Sequence, residues 1–461
     1  MTLEEYLSEL GGQIRDDQAR SFVEDEIRCH IMDQAEAYES DGMVREDALI
    51  TAVREMGDPV SVGIDLDKIH RPHMEWRFLI YVLFISILNL GIQYLINKYI
   101  SFESDGNIVT HFSGTSIIST FGGLSAMLVM YRLDYTILAG RSRIAGLGYL
   151  IIITILSSLC ESYVNGGKTW ISIDDLSVSS FALMTAFLPL FAGILYDYRG
   201  KGKSAIVKIL LWMFVPVSVG RCCCRLISTS AIFILSAETI LFILALYKGW
   251  YTVNIKAVLL GGVGITIILA AARLMLAAEY QKQRIMYWLA HFGIGNYSAN
   301  ADHTINYVRR QLASVFAHSN VVRKSDEAIA IMKELPSFQG DLILGSVAAT
   351  CGIIAAISLL VCLLVLSVYI FSISLRQRNA LGYIIGCSCG VAIGLQSFAN
   401  ILAVFGILPF MFTFLPFFGG GFSTIVVDYA LLGLVLSIYR YKDIRKEKPV
   451  KTMVFKKTEI M

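Results

Sequence analysis

Charge is scarce in this chain. Asp, Glu, Lys and Arg make up 16% of its 461 residues, against about 25% in a typical soluble protein. The hydrophobic share is 55% and the mean hydropathy +0.61, more apolar surface than a soluble core of this size absorbs. Proline is also rare, eight residues in all, which argues against long disordered linkers. The nine cysteines lie mostly inside apolar runs (Cys160, Cys351, Cys362, Cys387, Cys389), apart from a triplet at Cys222, Cys223 and Cys224. None shows C-x-x-C spacing with a second pair, so a zinc site has no support. A net charge of +2 gives no electrostatic case for nucleic-acid binding. The composition describes a polytopic, all-α membrane protein.

Charge is also unevenly spread. Residues 1–73 hold 18 acidic and 7 basic side chains, and the remainder 19 acidic and 32 basic. The division suggests an acidic cytoplasmic helical domain over 1–73, a membrane domain over 74–442 and a basic tail over 443–461. The start is acidic rather than basic then apolar, unlike a signal peptide. Within the first 60 residues three short helices are expected. Thr2-x-x-Glu5 and Ser21-x-x-Glu24 have capping-box spacing, Val23, Ile27, Ile31, Ala35 and Tyr38 make a helical stripe, and Gly57 with Pro59 ends the third.

Beyond Arg77 ten apolar segments approach the length needed to cross about 30 Å of hydrocarbon. They lie near 78–97, 111–131, 144–160, 176–196, 205–220, 226–247, 256–278, 342–371, 380–400 and 420–439. Basic residues cluster in alternate connections (Arg132, Arg141 and Arg143; Arg199, Lys201 and Lys203; Lys248 and Lys256; Arg376 and Arg378), which places both termini in the cytoplasm. Arg221 and Arg225 conflict with that pattern. The connection 279–341 on the outer side is long enough to carry function. Its stripe Ile305, Val308, Leu312 and Val315, with Arg309 and Arg310 off it, suggests an amphipathic helix at the membrane surface or a cap on the bundle. Glu238, Arg273 and Asp428 fall inside apolar segments, where ionisable groups are costly and face protein or water.

Several motifs occur in a recognisable order. They are Asn165-Gly166-Gly167-Lys168-Thr169-Trp170-Ile171, Gln283-Arg284-Ile285, and Leu335-Pro336 followed by Gly340-Asp341. Gln396-Ser397-Phe398-Ala399-Asn400 comes next, then Gly406-Ile407-Leu408-Pro409, and finally Leu415-Pro416-Phe417-Phe418-Gly419-Gly420-Gly421-Phe422-Ser423. Over residues 75–442 this resembles the SEDS family, the FtsW/RodA/SpoVE cell-wall polymerases of the bacterial membrane. Residues 5–59 resemble the HAAS, or permease-prefix, domain, which implies regulation or docking rather than chemistry.

The SEDS resemblance implies a glycosyltransferase that polymerises lipid II on the outer face, in cell division or shape maintenance, beside a class B penicillin-binding protein that cross-links the product. It implies that Asp341 is the essential acid; as a helix-capping residue it would need no such role. Lys168, Arg284, Arg309 and Arg310 are candidates to neutralise the departing pyrophosphate, and a divalent cation would suit the same task. The chain departs from the family at several charged positions. Ser179-Ser180-Phe181 and Met184 stand where the family has Pro-Ser-Glu and a Lys, Thr169 replaces an Arg, and Ala349 and Thr350 replace an acidic pair. The Asp of the family's Pro-Asp-Leu has no clear counterpart, and Phe422 replaces a Gly. Two other readings therefore stay open: a catalytically degenerate scaffold or regulator, and a transporter of lipid-linked precursors built around Glu238, Arg273 and Asp428.

Overall fold

The computed structural model describes residues 1–70, 74–100, 103–104, 107–108, 111–159, 162–164, 167–173, 176–223, 228–254, 256, 258, 279–291, 294, 307–335, 340–408, 414–419 and 421–442. It divides into two compact units, one built on Met1–Glu75 and the other on Trp76–Ser437.

The first unit holds α1 (Leu3–Gly11), α2 (Asp17–Ser40), α3 (Arg45–Glu55) and α4 (Pro59–His70). The Thr2 capping box forms as expected, with Thr2 Oγ1 accepting the Glu5 amide and Glu5 accepting the Thr2 amide. The second expected box does not form. Asp16 takes the capping role instead, accepting the Ala19 amide at 3.0 Å, so the helix starts earlier and Ser21 lies inside it. Gly57 ends α3 at φ +82°. Pro59 then opens a fourth helix, because a first helical residue needs no amide hydrogen and Asp58 accepts the Ser61 amide. Tyr6, Leu10, Ile14, Val23, Ile31, Ala35 and Ala52 make the core.

The second unit is an all-α membrane bundle. Its helices are α5 (Trp76–Tyr99), α6 (His111–Arg132), α7 (Ser142–Leu159), α8 (Ser180–Ala186), α9 (Leu188–Asp197), α10 (Lys203–Cys222), α11 (Ser228–Tyr247), α12 (Glu279–His291), α13 (Tyr307–His318), α14 (Asp326–Lys333), α15 (Ile343–Cys351), α16 (Ile353–Leu375), α17 (Ala380–Val404) and α18 (Phe422–Arg440). Among the described residues eight helical stretches are long and apolar enough to cross a membrane, α8 and α9 counting as one. Of the ten expected segments, 256–278 lies almost wholly outside the described residues. The segment 111–131 is the 22-residue α6. Two expected single helices are broken. Pro189 separates α8 from α9, and Gly352 at φ +97° separates α15 from α16.

The Gly352 break serves a strap. Asn320 and Val321 carbonyls accept the amides of Ile353 and Ile354 at 3.0 and 3.1 Å, while the Ser325 amide donates to Ala349. These bonds satisfy donors that a helix start leaves open. The amphipathic α13 therefore caps the bundle rather than resting on lipid. Leu312 and Val315 are buried, and a Cβ on Gly345 would meet Leu312 at 2.9 Å. Two small antiparallel sheets, β1–β2 (Glu103–Ser104, Asn107–Ile108) and β3–β4–β5 (Ser162–Val164, Gly167–Ile173, Leu176–Ser179), were not legible in the hydropathy pattern.

Candidate active site at Asp341

Asp341 sits in the turn that opens α15. It is 3% exposed, and its Oδ1 is buried with no hydrogen-bond partner among the described residues. Burial alone pushes its carboxyl from 3.8 up to about 7, since desolvation disfavours the charged form. Its backbone is held from the side: Asn400 Nδ2, on the central helix α17, donates to the Asp341 carbonyl at 3.0 Å.

From above, the neighbouring residue is gripped by the reversal 414–419. A Cβ on Gly419 would lie 2.5 Å from the Gly340 carbonyl oxygen. Only glycine permits that approach. The reversal is itself pinned at four points. Gln396 Nε2 donates to the Phe414 carbonyl at 3.0 Å, Gln93 Nε2 to the Phe418 carbonyl at 2.6 Å, and the Phe417 amide to Asp428 Oδ2 at 3.2 Å. Phe417 meets Tyr429 edge-on at 5.2 Å. Pro416 is buried within the reversal. Beyond Gly421, Ser423 Oγ accepts the Ser179 amide at 2.9 Å and ties the start of α18 to the end of β5. The motif residues Gln396, Asn400, Pro416 and Ser423 thus build the support of Asp341 rather than its chemistry.

The expected cations are placed less completely. Arg309 packs against Gly406, and its Nε is buried without a partner among the described residues. Arg310, next to it on α13, is exposed. α13 and α12 are fastened to the segment after α17 by the Phe316–Phe405 stack at 5.5 Å and by Trp288 Nε1 donating to the Ile407 carbonyl at 3.2 Å. Arg284 lies on α12, and Lys168 and Trp170 lie on β4, where Trp170 pairs with Ser179. Pro336 and Arg273 fall outside the described residues. Glu238 is fully buried on α11, and neither carboxyl oxygen has a partner among the described residues. Among the described residues no three His, Cys, Asp or Glu converge to hold a metal.

The residues at the expected departures from the family are packed. Phe181 and Met184 join Ile153, Val217, Ala231, Phe233, Ile234 and Ala399 in one buried cluster, with Phe181 edge-on to Phe233 at 5.1 Å. Ala349 and Thr350 are buried, and Thr350 Oγ1 donates back to the Ser346 carbonyl. These positions are filled by buried side chains. Gln93, Ser179 and Tyr429 belong to the support and were missed. The signal for Gln93 was present, a lone amide in an apolar segment.

A family model described as cell cycle protein, for FtsW, RodA and SpoVE, matches residues 76–444. The probable peptidoglycan glycosyltransferase FtsW of Enterococcus hirae is 31% identical over 128 residues, 28% of this chain and 32% of that protein. The aligned part thus spans about a third of that relative's length. A structure described as the structural coordination of polymerization and crosslinking by a peptidoglycan synthase complex superposes with a TM-score of 0.63 at 16% identity, covering 80% of this chain and 98% of the other. The rod shape determining protein RodA of Thermus thermophilus gives 0.54 at 14% identity, over 80% and 97%. At those identities the likeness is one of fold. The profile match extends over most of the chain and contains every element that supports Asp341, so this chain belongs to the FtsW/RodA/SpoVE family.

Proposed function

We propose that this protein is a peptidoglycan glycosyltransferase of the bacterial membrane that polymerises lipid II on the outer face, with both termini in the cytoplasm. The observation that carries the reading is Asp341: a carboxyl buried at a helix mouth, raised to about 7 by desolvation, with one oxygen unmatched among the described residues. A base of that strength suits proton transfer near neutral pH. Asp341 accepts the proton of the acceptor sugar hydroxyl as the oxygen attacks the anomeric carbon of the donor. The bond to the diphosphate breaks, and the pyrophosphate-linked lipid departs with the electron pair. Arg309 and Arg310, with Lys168 and Arg284, neutralise the departing charge. A divalent cation would share that task. A class B penicillin-binding protein is the expected partner, and the likeness to the peptidoglycan synthase complex supports it.

A second reading has its own observation. Phe181 and Met184 occupy an apolar cluster where the family carries Glu and Lys, which favours a scaffold or regulator without catalysis. The test is polymerisation of labelled lipid II by the purified protein, alone and with its transpeptidase, beside Asp341→Ala. Polymer lost with the substitution supports the enzyme. No polymer from the parent chain, while a relative works in the same assay, supports the scaffold.

A further inference from the structure

We propose that Asp428, a carboxylate inside the last membrane helix, is the positioning residue that keeps Asp341 seated and dry. The catalytic role of Asp341 rests on the function proposed above; the seating itself does not. Asp428 is 1% exposed, and its Oδ2 accepts the amide of Phe417 at 3.2 Å. Phe417 has φ +67°, the only positive value at a non-glycine residue among those described. That left-handed conformation is unfavourable for a residue with a Cβ and persists only where the surroundings impose it.

The Phe418 and Gly419 amides close the turn on the Leu415 carbonyl at 3.2 and 3.0 Å, and three side-chain contacts hold it in that form. Asp428 takes the amide, Tyr429 meets the ring at 5.2 Å with its own hydroxyl 2.6 Å from Ser86 Oγ, and Gln93 Nε2 holds the next carbonyl at 2.6 Å. The reversed turn then directs Gly419 onto the carbonyl of Gly340, one residue before Asp341. Of the three, only Asp428 acts on the peptide at the strained residue itself. Without it the Phe417 amide is a buried donor with no acceptor. The turn relaxes to a right-handed conformation, Gly419 withdraws, and water reaches Asp341.

The test reads access to position 341 in the purified full-length protein, using Asp341→Cys and a small maleimide, with peptide-resolved mass spectrometry. Cys389, fully buried on α17, reports global opening in the same sample. With Asp428 intact, Cys at 341 labels slowly. Adding Asp428→Ala speeds its labelling about tenfold or more, the scale of one unsatisfied buried donor, while Cys389 stays protected. Asp428→Asn, which retains an acceptor oxygen, labels like the parent. Phe417→Gly, which takes the left-handed conformation without strain, restores protection in the Asp428→Ala background. Unchanged labelling at 341 in Asp428→Ala, equal acceleration at Cys389, or no rescue by Phe417→Gly overturns the proposal. Labelling needs no turnover, so an inactive parent would defeat the polymerase reading and leave the positioning test standing. Conversely, an Asp428→Ala chain that polymerises at the parent rate while Asp341→Ala does not would overturn the positioning and leave the enzyme.

Discussion

At the scale of single residues, the raised carboxyl of Asp341 links activity to stability with opposite signs. Its protonated form is favoured in the folded protein, from 3.8 to about 7. The folded state therefore binds more protons between those values, and stability falls as pH rises across that window. On the proposed mechanism catalysis needs the ionised form, so polymerisation should rise as pH passes through about 7 and level off above it, measured as initial rates on labelled lipid II. Asp341→Asn keeps the shape without the charge. It should abolish polymer and raise the unfolding temperature at pH 8, where the native carboxylate is most costly, by the equivalent of a few kcal/mol. A thermal scan at pH 5 and pH 8 checks the sign: the variant's advantage should shrink at the lower pH. Phe181 and Met184 are apolar side chains in a buried cluster, where charged ones would need partners.

At the scale of elements, two glycines carry structural roles that their neighbours make costly to alter. Gly352 has φ +97°, and an added Cβ would stand 2.8 Å from the Val321 carbonyl oxygen. Gly352→Ala should cost about 2 kcal/mol and release the strap 320–325, read as a lower unfolding temperature and as faster amide exchange at Ile353 and Ile354. Gly419→Ala meets the Gly340 carbonyl oxygen at 2.5 Å, where neither backbone has a flexible end to yield. That substitution should cut polymerisation far more than it lowers the unfolding temperature, because it displaces the turn beside Asp341. Comparing both readouts on one preparation separates misplacement from unfolding.

At the scale of the whole molecule, the chain joins a four-helix unit to a membrane bundle. We propose, on the resemblance of residues 5–59 to the HAAS domain, that this unit docks or regulates. A chain lacking residues 1–75 should therefore polymerise lipid II at the parent rate once purified, while losing regulation in cells. A drop in the purified rate would assign the unit a part in catalysis. Copurification with a class B penicillin-binding protein should survive the same deletion if the membrane bundle alone forms that interface.

How much was legible follows from which forces act locally. Apolar runs and sparse charge sufficed for the helical membrane class and nine of the ten segments, because hydropathy and helix length answer to the bilayer itself. The breaks at Pro189 and Gly352 were hidden inside continuous apolar runs, since hydropathy does not register a positive φ or a missing amide. The cap at Asp16 outcompeted Ser21 because nothing in the spacing ranks two acceptable caps. Asp428 was visible as an intramembrane acid, yet its task was not: only the tertiary structure brings the Phe417 amide to it, eleven residues away. Sequence alone determined what must be buried and which residues could carry charge. The tertiary structure decided which buried polar groups meet, because a hydrogen bond depends on angles and distances that no spacing along the chain prescribes.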